Sequence, residues 1–165
     1  MRKYAITGPE SCGKTTLTSA LAEQFNGTWI PEFAREYLTL RNGIYSIEDL
    51  DVIAKKQFEQ WQNRTEELVF CDTDMTVMKV WSEFKYGTCS PLITSLLNKQ
   101  QFDHYFLCRP DLDWEEDPLR EHPEQREELF EIYLKELKDN NLPFSIVDGD
   151  LDARLQICRA IIANK

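Results

Sequence analysis

A chain of 165 residues, 42% hydrophobic and 12% aromatic, is long enough for one domain with a full core and too apolar to be disordered. Its formal net charge of −10 argues against a nucleic-acid partner or an anionic membrane surface, since either would need a basic patch. The five cysteines are odd in number, scattered and without a C-x-x-C pair, which speaks against disulfides or a zinc site and for a reducing, cytoplasmic setting.

In chain order, Arg2–Ile6 reads as a short buried strand. It enters at once, leaving no room for a signal peptide, and no apolar run approaches membrane-spanning length. Gly8-Pro9-Glu10-Ser11-Cys12-Gly13-Lys14-Thr15 then matches G-x-x-x-x-G-K-[ST], and Leu17, Leu21 and Phe25 continue it as a helix ending at Asn26-Gly27. Glycines let such a loop aim its N–H groups at phosphate oxygens, and the helix N-terminus adds partial positive charge. Gly8, Glu10, Ser11, Cys12, Gly13, Lys14, Thr15 and Thr16 are therefore candidate ligands of ATP or GTP. Lys14 reaches the β- and γ-phosphates, and Thr15 holds Mg²⁺.

Thr28–Ile30 is a second strand, stopped by Pro31 and followed by a helical piece from Glu32 to about Leu40. Ser46 and Asp49 cap a long helix over about Ile47–Leu68, with Trp61 and Phe58 on its apolar face. Val69–Cys71 is a third strand, and helices follow over about Thr73–Lys85 and Pro91–Gln100. Trp81 and Phe84 read as core, and His104 and His122 as structural. Tyr105–Cys108 is strand four, leading through an acidic loop, Arg109–His122, to a helix opened by Pro123. Phe144–Val147 is strand five, and a last helix runs from about Leu151 to Ala163. Strands alternating with helices imply a parallel sheet with helices on both faces, whose ligands sit at the carboxyl ends of the strands.

The residues just after each strand are therefore the candidates for chemistry. Glu32 after strand two is placed to accept a proton from an alcohol attacking a γ-phosphate, with Arg35 beside it facing substrate. The plainer role for these acids is to favour a helix N-terminus. After strand three, Asp72 is a Mg²⁺ ligand and Asp74 a substrate ligand or alternative base, with helix capping as the competing duty. After strand four, Arg109, Arg120 and Arg126 suit charge stabilisation over phosphates, unless the loop is only a solvated charge run. Trp114 amid five carboxylates could host a flat cation. Asp148-Gly149-Asp150 either lies beside the nucleotide base or simply caps the last helix.

Together, Gly8-x-Glu10-Ser11-x-Gly13-Lys14-Thr15, Pro31-Glu32-x-x-Arg35-Glu36-Tyr37, Asp72-Thr73-Asp74, Trp114-x-x-Asp117-x-x-Arg120 and Asp148-Gly149-Asp150 resemble the ribosylnicotinamide kinase domain of the bacterial NAD-metabolism regulator family. That resemblance spans nearly the whole chain in order. It implies a three-layer α/β P-loop kinase fold, a single domain with parallel strand order 2-3-1-4-5 and a lid over about 109–126. It also implies transfer of the ATP γ-phosphate, with Mg²⁺, to the 5′-hydroxyl of nicotinamide riboside, giving nicotinamide mononucleotide. Trp114 and Asp117 fall on the acceptor side. With the first strand expected to open at Arg2, the roles of the family's adenylyltransferase and DNA-binding parts are not expected of this chain. The rival readings are another nucleoside or nucleotide kinase, and a module in which ATP only switches a surface. Glu10, a carboxylate inside a phosphate loop, is expected either to face solvent or to pair with Arg35 or a lid arginine.

Overall fold

The computed structural model describes residues 1–164. Five strands, β1 (Arg2–Thr7), β2 (Thr28–Ile30), β3 (Leu68–Asp72), β4 (His104–Cys108) and β5 (Phe144–Val147), form one sheet in the order β2-β3-β1-β4-β5. All four pairings are parallel, so every strand ends at the same edge, as the sequence resemblance implied. Seven helices connect them: α1 (Lys14–Phe25), α2 (Phe33–Leu40), α3 (Ile47–Gln62), α4 (Met75–Tyr86), α5 (Pro91–Lys99), α6 (Arg126–Asp139) and α7 (Leu151–Ala163).

Side chains along a strand alternate between faces, and the two faces here carry separate cores. Tyr4, Ile6, Phe70, Phe106 and Cys108 pack with Leu17 and Leu21 of α1 and Cys158 and Ile162 of α7. Ala5, Val69, Cys71, Tyr105 and Leu107 face the other way, toward Leu50 and Trp61 of α3, Met78 of α4, Ile93 of α5 and Phe130 of α6. Tyr4 stacks between Phe70 and Phe106 at 5.6 and 5.8 Å, so three adjacent strands share one aromatic row. A Phe106→Ala change there removes a wholly buried ring, a loss that costs about 3–5 kcal/mol in comparable cores.

The two largest departures of element boundaries from the sequence reading are in α3 and α6. Helix α3 stops at Gln62 rather than near Leu68, because its apolar stripe ends at Trp61 and the polar run 62–67 has nothing to bury. Arg64 folds back instead, its Nε donating to the Gln60 carbonyl at 2.7 Å. Helix α6 opens at Arg126 rather than Pro123, since residues 123–124 form a turn held by contact between His122 Nδ1 and Gln125 Oε1 at 3.0 Å. The capping box of Ser46 and Asp49 forms as expected. Among the described residues, no helix is long and apolar enough to cross a membrane.

Candidate active site

The loop between β1 and α1 takes backbone conformations that its sequence was chosen to allow. Gly8 and Gly13 have φ of 133° and 81°, and Ser11 joins them at 50°. A Cβ on Gly8 would stand 2.8 Å from the Cys108 carbonyl oxygen, so β4 approaches too closely for any other residue. Helix α1 has no side-chain cap and no acid in its first turn, which leaves its N-terminal N–H groups and partial charge available to an anion. Lys14 Nζ donates to the loop's own Gly8 and Pro9 carbonyls at 2.9 and 2.6 Å. Burial would pull its pKa down, but the Cys12 sulfur and the Glu32 and Asp72 carboxylates reverse that and hold it raised.

The pair of aspartates after β3 divides its duties. Thr73 between them has a left-handed φ of 76°, rare for a β-branched residue, and this turns the two carboxylates apart. Asp72 Oδ2 accepts from Thr15 Oγ1 at 2.6 Å, while its buried Oδ1 has no partner among the described residues. Burial raises the Asp72 pKa. Asp74 goes the other way: it is fully buried, accepting from Thr7 Oγ1, the Thr76 N–H that it caps, and Gln100 Nε2. The expectation of Asp74 as base or substrate ligand is thus corrected, because both its oxygens are used inside the fold and it does not reach the cavity.

One cavity of about 440 Å³ opens at this edge of the sheet. The phosphate loop from Gly8 to Thr16 forms one end, with Asp150, Leu151 and Arg154 beside it. Glu32 and Arg35 line the same cavity as Lys14. Burial lifts the Glu32 carboxyl to about 7, and the neighbouring Asp72 charge adds to the lift against the pull of Lys14 and Arg35. The far end is apolar and aromatic: Ala34, Leu38, Val77, Val80, Leu129 and Tyr133, with Trp81 and Phe84. Trp81, Phe84 and His122, expected to be structural, line the cavity.

The segment 109–126 closes one side through hydrogen bonds to the phosphate loop. Ser11 Oγ accepts the Glu115 N–H at 3.0 Å, and the Ser11 carbonyl accepts from Arg126 at 3.0 Å. Among the described residues Glu10 pairs with no arginine: half-buried, its Oε2 accepts the backbone N–H groups of Glu121 and His122 at 3.1 and 2.9 Å. Arg126 also donates to the Leu112 carbonyl at 2.8 Å, and Arg120 to the Glu115 carbonyl, so both guanidinium groups are tied to the segment itself. Of the two, only Arg120 lines the cavity. Trp114 lies outside it, with Arg120 and Arg126 over its ring at 5.9 and 5.6 Å; the cations it meets are the protein's own. Asp117 is bound to Arg35 at 2.7 Å and likewise stays outside.

Of the residues expected around a nucleotide base, Asp150 caps α7 through the Ala153 N–H at 2.9 Å and lines the cavity. Asp148 and Gly149 do not, and Arg109 lies over the Phe130 ring at 4.6 Å, 3.9 Å from Asp148. The residue missed here is Arg154. Only 1% exposed, it donates to the carbonyls of Cys12, Gly149 and Arg109 and to Asp111, tying three loops together. A signal for it existed: it is the one cation on the stripe Arg154, Cys158, Ile162, spaced four apart on the buried side of α7. Among the described residues, no cluster of three His, Cys, Asp or Glu could hold a metal. Asp72 and Thr15 with phosphate oxygens and water would still make a Mg²⁺ site of the usual kind, and the unpartnered Asp72 Oδ1 fits that use.

Residues 3–154 match the AAA domain family. The Trifunctional NAD biosynthesis/regulator protein NadR of Salmonella typhimurium is 27% identical over 98% of this chain and 42% of its own length. The protein of the same name from Escherichia coli is 28% identical with the same coverage. The chain thus spans less than half the length of the curated relatives it matches. A crystal structure of NadR in complex with NR superposes with a TM-score of 0.78 at 23% identity, covering 90% of this chain and 44% of that one. A deoxyadenosine kinase from M. mycoides, solved with products dCMP and dCDP, gives 0.70 at 16% identity over 99% of this chain and all of that one. The family resemblance and the P-loop kinase fold read from the sequence are both borne out.

Proposed function

The chain belongs to the AAA domain family, and from that premise we propose that it is a MgATP-dependent kinase of a small nucleoside, with nicotinamide riboside as its acceptor. The observation that carries this reading is one cavity lined by both the Lys14 loop and Glu32, with an apolar and aromatic wall beside them, so that a carboxyl group and room for a ring-bearing acceptor adjoin the phosphate site. A module that only binds and releases ATP has no use for such a group, whereas a base for an alcohol works best near the ambient pH. NadR relatives, one solved with NR and one with NAD and AMP-PNP, support the choice of acceptor and donor.

In this mechanism the triphosphate lies along Gly8–Thr16, and Lys14 leaves its loop carbonyls to neutralise charge on the transferring group. Thr15 and Asp72 would hold Mg²⁺, which would supply further charge neutralisation when bound. The acceptor's ring packs among Trp81, Phe84 and Tyr133, which directs its 5′-hydroxyl toward Glu32. The hydroxyl oxygen bonds to the γ-phosphorus, its proton passes to Glu32, and ADP departs. A permanently positive pyridinium suits aromatic faces bordered by Glu32 and Glu121. Arg120, which lines the cavity, is the lid arginine that would leave the Glu115 carbonyl to meet the phosphates.

The test is ATP turnover by the purified chain against a panel of nucleosides. Negligible turnover alone and fast turnover with nicotinamide riboside is the expected result. Preference for an uncharged deoxynucleoside would transfer the site to that class, and acceptor-independent turnover would make the chain a nucleotide switch.

A further inference from the structure

The position of Glu10 raises a physical question: a carboxylate within a triphosphate-binding loop works against the ligand, unless it has another task. Its task is visible in its partners. Glu10 accepts the backbone N–H groups of Glu121 and His122, and among the described residues no salt bridge is made to its carboxylate. Those two residues in turn hold the aromatic wall. The Glu121 carboxylate accepts from Tyr45 Oη at 2.7 Å and from Lys85 Nζ at 2.6 Å. The same Tyr45 oxygen accepts the Trp81 indole N–H at 3.0 Å, with the two rings edge to face at 5.2 Å. The His122 ring meets Phe84 edge-on at 4.9 Å. An unbroken chain of contacts therefore runs from the phosphate loop to Trp81 and Phe84, two of the three aromatic side chains at the far end of the cavity.

We propose that Glu10 is a positioning residue for the acceptor: through Glu121 and His122 it makes the phosphate loop set the placement of Trp81 and Phe84. It touches no reacting atom. The energy comes from two N–H groups donated to one charged group, a stronger bond than its neutral equivalent. Ser11, holding the Glu115 N–H and Arg126, fixes the same segment farther back. The inference rests on the kinase reading for its consequence in turnover, but the physical link itself does not.

The test uses the full chain and two variants, Glu10→Ala and Glu10→Gln. Amide hydrogen exchange of the free protein reads the link directly: Glu10→Ala should speed exchange at Glu121 and His122 by about tenfold to a hundredfold, with β1 and α7 unchanged. Glu10→Gln, keeping one carbonyl acceptor, should fall between. In turnover, the acceptor KM should rise about tenfold or more in Glu10→Ala with the ATP KM within about twofold, and Glu10→Gln should recover part of the loss. Unchanged exchange at Glu121 and His122 would overturn the proposal whatever the activity. Altered exchange with an unaltered acceptor KM, in a wild type that does turn over, would overturn the positioning role. A wild type showing the exchange result but no acceptor-dependent turnover would fail the kinase reading and leave the mechanical link standing as a feature of some other ligand site.

Discussion

The two ends of the cavity are built by different means. At the phosphate end the recognition elements are backbone: the left-handed Gly8, Ser11 and Gly13, the open N-terminus of α1, and one lysine within the same loop. All come from a single run of residues between β1 and α1. At the far end they are side chains from α2, α4 and α6 and the 109–126 segment, brought together only by the fold. A triphosphate is common to all nucleotide donors, so a fixed backbone cradle suffices for it. The acceptor is what distinguishes one kinase of this fold from another, and its pocket is made of residues that can change with little effect on the sheet.

That contrast predicts that changes between the two ends, where chemistry occurs, hurt most. Glu32→Gln keeps the size of the side chain and removes its basicity, so phosphoryl transfer should fall by about 10²–10⁴-fold in kcat. The sign of the pH effect follows from its raised pKa. Burial holds Glu32 protonated up to about 7, and only the carboxylate accepts the hydroxyl's proton, so wild-type kcat/KM should drop as pH falls through 7. Glu32→Gln should lose that limb and retain a flat profile; a variant that keeps the limb would move the base elsewhere. Lys14→Ala comes next, with a loss of about 10²–10³-fold comparable to removing one charge-stabilising donor. Its melting temperature should stay near that of the wild type, because Lys14 bonds only to its own loop. Near-normal activity in Lys14→Ala would dissolve the distinction between the two ends.

The same contrast explains what the sequence disclosed. The phosphate loop and the post-strand residues Glu32 and Asp72 follow local rules of spacing and strand ends, whereas the strand order came from the family resemblance alone; the structure brings these residues to one edge of a sheet in that order. Asp74 escaped because Asp72-Thr73-Asp74 contains two carboxylates of equal local merit. Only the left-handed Thr73, a backbone fact, sends one to Thr15 and the other to Thr7. Trp81, Phe84 and Tyr133 escaped because a cavity wall and a core draw on identical residue types at identical helical spacing. Glu10 escaped because its partners are N–H groups 111 and 112 positions away, which carry no side-chain signature. Arg154 alone left a usable mark, a charge on an otherwise apolar stripe.

The smallest effect is the most discriminating between the two tryptophans. Trp114 has the acids around it in sequence, yet in space its ring lies under Arg120 and Arg126, outside the cavity. Trp81 lacks those acids in sequence, yet its indole lines the apolar end of the cavity and is oriented through Tyr45. Trp81→Ala should therefore raise the acceptor KM about tenfold, the worth of one aromatic contact with a flat cation, and leave the ATP KM within about twofold. Trp114→Ala should change the acceptor KM by less than about threefold, because what it loses is support for two arginines that the Ser11, Leu112 and Glu115 carbonyls still hold. Initial-rate kinetics with both substrates varied would separate these outcomes. If Trp114→Ala gave the larger acceptor effect, the segment 109–126 would have to rearrange around the bound acceptor, and the aromatic wall of α4 would lose its claim to the ring.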